Sequence, residues 1–111
     1  MRRDAAAKLL EAAPVFAALG DETRLTLVTR LSERGPLPIV RLTQGLGITR
    51  QAVTKHLAAL EDAGLLRSNR VGRERIWELE PRGLDRVQRH LETISRQWDA
   101  AIDRLRAFVE D

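Results

Sequence analysis

The chain has 111 residues, 43% of them hydrophobic and 32% charged, with a formal net charge of +3. That length supports one domain with a modest core, better stabilised if a partner covers more surface, and the composition excludes a disordered tail. Cysteine is absent, which excludes disulfides and thiolate metal or redox chemistry; no apolar run reaches bilayer length, and Met1-Arg2-Arg3-Asp4 ahead of Glu11 and Pro14 makes a poor signal peptide. The expectation is a cytoplasmic protein that does not engage membranes.

Charge is unevenly placed. Residues 49–60 carry Arg50 and Lys55 with no acid, and residues 67–75 carry Arg67, Arg70, Arg73 and Arg75 against Glu74. These two segments hold +5 and leave −2 for the remainder, a concentration that suits a phosphate-binding face.

Taken in chain order, residues of about 4–19 are helix-rich, with Leu9, Ala13, Phe16 and Ala17 as an apolar stripe. Pro14 kinks or restarts this helix. Gly20 reads as its C-cap and Asp21 as the next N-cap. A helix from about Glu22 to Glu33 is expected to bury Leu25, Val28 and Leu31, and Gly35-Pro36 ends it. A short helix from about Pro38 to Gln44 carries Ile39, Val40 and Leu42, and Gly45 within it would weaken it. Gly45-Leu46-Gly47 makes a turn, and Ile48 is expected to tuck under the next helix start.

That next helix is the most informative stretch. Thr49 can cap it, and Val53, Leu57 and Leu60 form an inward stripe at i, i+4 and i+7. Gln51, Thr54, Lys55 and Ala58 face the other way, with Arg50 beside them. Donors of this kind without an acid suit the DNA major groove, although an amphipathic surface helix reads alike in isolation. The flanking segments decide: two short helices joined by a glycine turn make a helix-turn-helix over about 38–62. Gly64 closes it. Residues 65–71 and 74–79 then read as strands joined at Gly72-Arg73, a wing of about 65–79. Trp77 and Leu79 pack on the core, while Arg70, Arg73 and Arg75 meet phosphates or a narrow minor groove.

The last segment, about 81–109, spaces Leu84, Val87, Leu91, Ile94, Trp98, Ala101, Leu105 and Phe108 by alternating threes and fours. This is a heptad seam on a helix about 45 Å long. It asks for a second copy of itself, or else folds back along its own domain. The expected fold is mainly α with a small β-hairpin: one winged helix-turn-helix domain over 1–111 with a long C-terminal dimerisation helix. Its dimer interface would use Leu9, Phe16, Leu84, Val87, Leu91, Ile94, Trp98 and Leu105.

Several of these motifs together resemble the ArsR-type winged helix-turn-helix repressors, over nearly the whole chain. Ala18-Leu19-Gly20-Asp21-Glu22-Thr23-Arg24 is similar to the family's opening Ala-Leu-x-Asp-x-Thr-Arg run. Ala52-Val53-Thr54-Lys55-His56-Leu57 with Leu60 and Gly64-Leu65 is similar to its recognition-helix signature, and Val71-Gly72-Arg73 through Trp77 and Leu79 to its wing. Trp98-Asp99 with Ile102 and Arg104-Leu105 resembles a metal-free branch. Metal-sensing members carry cysteines before the turn, where this chain has Ile39 to Gln44. Others carry ligand clusters on the last helix, where His90 stands alone among Asp85, Glu92, Asp99 and Asp103. A zinc site wants three or four convergent ligands, so neither metal nor cofactor is expected.

The expected function is a homodimeric, sequence-specific regulator of transcription on a palindromic site in double-stranded DNA. Arg50 would favour guanine O6/N7 and Gln51 adenine N6/N7, with Thr54 and Lys55 on nearby edges. His56, with Arg70, Arg73 and Arg75, would hold phosphates or a narrow minor groove, and Thr49 at the helix start counts among the DNA-binding residues. The resemblance, not the residue chemistry, implies repression. A ligand- or metal-gated sensor of the same fold and a winged-helix protein-interaction module are the alternatives. No catalytic residues are expected: no Ser or His is paired with a base, and no glycine loop cradles phosphate. The sequence names no small-molecule effector.

Overall fold

Pro14 splits the N-terminal helix, and the chain restarts at once. The computed structural model describes the backbone of residues 2–110 and side chains from residue 7 to 110; the outermost residues of the expected domain, Met1 and Asp111, lie outside it. Helix α1 spans Arg2–Glu11 and α2 spans Ala13–Leu19, with Pro14 in the first turn of α2, where its missing N–H breaks no helical bond. Gly20 closes α2, and Asp21 caps α3 (Glu22–Arg34), its Oδ2 accepting from the Arg24 N–H at 3.0 Å. Gly35, at φ 81°, ends α3.

A two-residue strand, β1 (Leu37–Pro38), precedes α4 (Ile39–Thr43) and α5 (Arg50–Asp62). Strands β2 (Leu66–Val71) and β3 (Glu74–Leu79) form the hairpin, and α6 runs from Pro81 to Glu110. The antiparallel sheet has the order β1-β3-β2. Its register sets Leu37 opposite Trp77, Ser68 opposite Trp77 on the other side, and Arg70 opposite Arg75. Strand β1 was not expected, because two residues carry no periodicity. It can hold Pro38 because an edge strand tolerates a missing donor.

The core is the meeting of α3, α4, α5 and the sheet. Leu27, Leu31, Leu42, Val53, Leu57, Leu60 and Leu65 are fully buried, and Trp77 and Leu66 close it from the hairpin. The expected stripe on α5 is therefore buried, whereas that on α3 differs. Leu25 is 49% exposed and Leu27 takes its place. Residues two apart on a helix point about 200° from each other, so both cannot face inward. Ile48 is also exposed, since it precedes the Thr49 cap and lies outside the α4–α5 contact. Gly45 is not inside a helix: α4 ends at Thr43, and Gly45 and Gly47 take φ of 75° and 68° in the turn. Arg30 donates to the Leu42 carbonyl at 2.8 Å, satisfying an acceptor that so short a helix leaves open.

Two members of the expected dimer seam belong elsewhere. Val87 is buried in the chain's own core and Leu84 packs against it, because the first two turns of α6 lie over the end of α5. Beyond them α6 leaves the core, and Leu91, Trp98, Leu105 and Phe108 are exposed. The radius of gyration is 17.9 Å, against about 13 Å for a compact chain of this length. Among the described residues no helix is long and apolar enough to cross a membrane.

Helix α5 ends in a Schellman turn. The Leu65 N–H donates to the Leu60 carbonyl at 3.0 Å, and the Gly64 N–H to the Glu61 carbonyl at 2.9 Å, with Gly64 at φ 80°. The Glu80 N–H reaches back to the Leu65 carbonyl at 2.8 Å. Gly83, on the first turn of α6, is pressed against this turn: a Cβ there would stand 1.8 Å from the Gly64 oxygen. Both groups are backbone, so neither can rotate away. Gly83→Ala is expected to cost about 3 kcal/mol, the upper range of overpacking, read as a lower midpoint in urea. An unchanged midpoint would mean that α6 is not seated on this turn.

The Asp21 cap carries a pH signature. The backbone N–H of Arg24 holds its carboxyl below the usual aspartate range, with His56 and the Arg24 guanidinium adding to the effect. A carboxyl lowered on folding stabilises above its unfolded value and loses that contribution as pH falls through the lowered one. Asp21→Ala is therefore expected to lower the Tm at pH 7, and the gap to the parent should close below about pH 4. A gap independent of pH would show that the charge does not matter.

Candidate nucleic-acid interface

The outward row of α5 is Arg50, Gln51, Thr54, Lys55 and Ala58, all exposed. The helix starts at Thr49, whose hydroxyl oxygen accepts from the Ala52 N–H at 3.0 Å, leaving the hydroxyl proton free to donate. The first turn of α5 holds no acid, so the positive end of its dipole is uncancelled and favours an anion such as phosphate. The acids of α5 stand at its far end, Glu61 and Asp62.

Partners divide the expected contact residues. Among the described residues, Arg50, Gln51, Lys55, Arg70 and Arg73 make no side-chain hydrogen bond or ion pair, so their donors are available. Thr54 differs: its hydroxyl donates to the Arg50 carbonyl at 2.9 Å, which leaves a methyl group and lone pairs to meet a base edge. Arg75 lends one N–H to Ser68 Oγ at 2.8 Å, and Ser68 in turn donates to Glu61 Oε2 at 3.0 Å. That relay ties the hairpin to the C-terminal end of α5.

His56 is a correction. The expectation was a contact to DNA, but the ring is half-buried and engaged within the protein. Its Nδ1 accepts from Arg24 Nε at 3.1 Å and lies 3.8 Å from Asp21 Oδ2. Helix geometry accounts for this, because position 56 adjoins the buried Val53, Leu57 and Leu60 and not the row 51, 54, 55 and 58. Arg24 and Asp21 escaped the sequence reading as partners of α5. No periodicity links positions 32 residues apart.

The hairpin sorts its charge by face. Ser68, Arg70, Arg75 and Trp77 share the face toward α5, since residues alternate along a strand and paired residues point the same way. Arg70 and Arg75 stand directly opposite each other, an arrangement of like charges that destabilises a bare sheet and that an anion between them relieves. Arg67, Asn69 and Glu78 share the other face. There Arg67 Nε meets Glu78 Oε1 at 2.8 Å and NH1 meets Glu80 Oε2 at 3.5 Å, which raises the guanidinium's pKa further. Asn69 adds a bond to Glu78 at 3.3 Å. Arg67 is thereby neutralised, while Arg70 and, at the tip, Arg73 remain open.

A second surface lies away from this one. Phe16 of α2 and Leu91, Ile94, Trp98 and Ile102 of α6 line an open apolar groove. Among the described residues no three His, Cys, Asp or Glu side chains converge as metal ligands would.

Comparison with known proteins agrees with this geometry. A helix-turn-helix domain family matches residues 19–69. The chain is 48% identical over 68 residues to the uncharacterized HTH-type transcriptional regulator YuzN of Bacillus subtilis, an overlap of 56% of this chain and 74% of that one. The ArsR-like transcriptional regulator from Rhodococcus sp. RHA1 superposes with a TM-score of 0.71 at 37% identity, over 89% of this chain and 92% of that one. A homodimeric winged helix-turn-helix DNA-binding domain from Mycobacterium bovis shares the fold with a TM-score of 0.64 at 22% identity, over 83% and 84% of the two chains. With a likeness that covers 89% of its length at 37% identity, the chain belongs to the ArsR family of winged helix-turn-helix DNA-binding transcriptional regulators.

Proposed function

We propose that this regulator is a homodimeric repressor of a palindromic operator, with α5 in the major groove and the hairpin on the flanking backbone. The observation that carries the reading is one molecule with two unpartnered surfaces of opposite character: the donor row of α5 and the apolar seam of α6. Arg50 pairs with guanine O6/N7 and Gln51 with adenine N6/N7, while Lys55 and the Thr54 methyl group meet neighbouring edges. Thr49, Arg70, Arg73 and the spare N–H groups of Arg75 hold phosphates or enter a narrow minor groove, fixing position without reading sequence.

The seam supplies the second copy. From Leu91 onward it offers Ile94, Trp98, Leu105 and Phe108, joined by Phe16 from α2. Burying a side chain of this size yields about 1.5–3 kcal/mol. Five or more from each copy outweigh the roughly 4–15 kcal/mol that association costs. The Mycobacterium bovis domain of the same fold is itself homodimeric. Two reading helices then stand about 34–36 Å apart, one turn of duplex, and the bound dimer blocks polymerase at the promoter. The repressing sign comes from the family resemblance.

Selection of bound fragments from random and genomic DNA by the purified chain tests the reading. The expected result is an enriched two-fold site with half-sites about 10 bp apart; an enriched site without two-fold symmetry overturns it. Gln51→Ala is expected to relax base preference at one position per half-site and cost roughly 1–3 kcal/mol on the cognate site. Arg73→Ala should weaken all sequences alike and flatten the salt dependence. Equal losses from both variants on cognate and random DNA would refute this division of labour. Leu91→Glu is expected to elute as a monomer from a sizing column, and a dimer would put the interface elsewhere.

A further inference from the structure

Arg24 joins three elements. Its Nε donates to His56 Nδ1 on α5 at 3.1 Å, and its NH1 donates to the Ala18 carbonyl on α2 at 3.4 Å. Its own backbone N–H is held by Asp21. Helix α2 also supplies Phe16 to the apolar groove with Leu91 and Trp98. One guanidinium therefore links the helix beside the seam to the helix that reads DNA.

The bond to His56 depends on a proton. An imidazole nitrogen accepts only while it carries no hydrogen. Protonation at Nδ1 turns the acceptor into a donor and sets two cations face to face. Asp21 Oδ2, 3.8 Å from the same nitrogen, is the acceptor then within reach. The other charged groups on elements packed against α5 are Glu22, Arg30, Glu33 and Arg34 of α3, Arg41 of α4, and Arg67 and Arg70 of β2, while α2 has no ionisable side chain. On α5 itself the charged groups are Arg50, Lys55, Glu61 and Asp62. Among the described residues none of these bonds to His56.

We propose that Arg24 is a positioning residue for DNA reading, and that its bond to His56 is a proton-sensitive latch between α2 and α5. The inference rests on the DNA-reading assignment of α5 made above. With a neutral imidazole the latch holds α5 in place. With an imidazolium it opens, and the bidentate base contacts, which depend on position, suffer most. Affinity for random DNA does not fall, because protonation adds a positive charge to the helix that already carries Arg50 and Lys55. What falls, once the imidazole takes up its proton, is the ratio of operator to random affinity.

The test measures equilibrium binding of the full chain to the selected operator and to a random duplex of equal length, at fixed salt, from pH 8 to pH 5.5. The parent's ratio is expected to drop about tenfold toward pH 5.5, the scale of one lost hydrogen bond. His56→Asn, whose amide oxygen can stand where Nδ1 stands and does not titrate, should give a flat profile. Arg24→Gln should lower the ratio at pH 8 and also flatten the profile. Without DNA, long-range proton–nitrogen spectra of the imidazole should find Nδ1 unprotonated at pH 8 in the parent and mixed tautomers in Arg24→Gln.

A parent ratio independent of pH overturns the latch, as does an undiminished pH dependence in His56→Asn or a parent ring protonated on Nδ1 at pH 8. Should Arg24→Gln fail to fold, the parent and His56→Asn still decide. Failure of the parent to prefer any duplex would remove the DNA-reading assignment of α5, while the imidazole spectra would still report on the latch itself.

Discussion

The Gly64 carbonyl lies so close to Gly83 that no side chain fits between them, and this contact governs how the two ends of the molecule relate. Gly64 closes the turn after α5 and α6 begins two residues before Gly83, with the Glu80-to-Leu65 hydrogen bond spanning the junction. Leu60 and Leu65 are buried beneath it, and Val87 one turn further along α6 joins the same core. A helix end of this kind needs a residue with positive φ, which Gly64 provides, and the neighbour needs to lack a Cβ, which Gly83 does. Two glycines nineteen residues apart thus set the angle between the donor row and the seam.

Electrostatics sharpens what packing orients. The hairpin carries its arginines on both faces, yet Glu78 and Glu80 neutralise Arg67 on one of them. The cations left without an acid are on the face and tip toward α5, together with Arg50 and Lys55 on the acid-free part of that helix. Arg70 and Arg75 are held opposite each other by strand register, a placement unfavourable in isolation. Phosphate between such a pair turns repulsion into two charge-assisted contacts. A net charge of +3 therefore understates the local field. Acids elsewhere lower the total without covering this surface.

Features that repeat locally were legible in the sequence. The stripe Val53, Leu57 and Leu60, the caps at Asp21 and Thr49, the Pro14 break and the strand pair around Gly72-Arg73 each depend on neighbours within one or two turns. Features that depend on what a segment meets in space were not. Helix α3 has leucines at 25, 27 and 31 and valine at 28, enough to supply two inward faces, and only the position of α5 selects Leu27 over Leu25. Leu84 and Val87 continue the heptad spacing of α6 without interruption, so periodicity cannot show that the core claims them before the seam begins. His56 carries the same limit into the candidate site. Its place beside a buried stripe was visible, but the Arg24 guanidinium that occupies its Nδ1 comes from another helix.

The exposed part of α6 and the rigid junction at its start belong to one argument. About 23 residues follow Val87, roughly 35 Å of helix, most of it beyond the chain's own core. On the homodimer reading, pairing along this length fixes one copy against the other, and the Gly64–Gly83 contact passes that alignment to each reading helix. A loose junction would still dimerise, but the second half-site would be found at an effective concentration diluted by every orientation the hinge allowed. A rigid one commits both helices to a single separation. On that reading such a molecule would reject half-sites at the wrong spacing as well as wrong bases, and part of the selectivity would reside in α6, which carries none of the proposed DNA contacts.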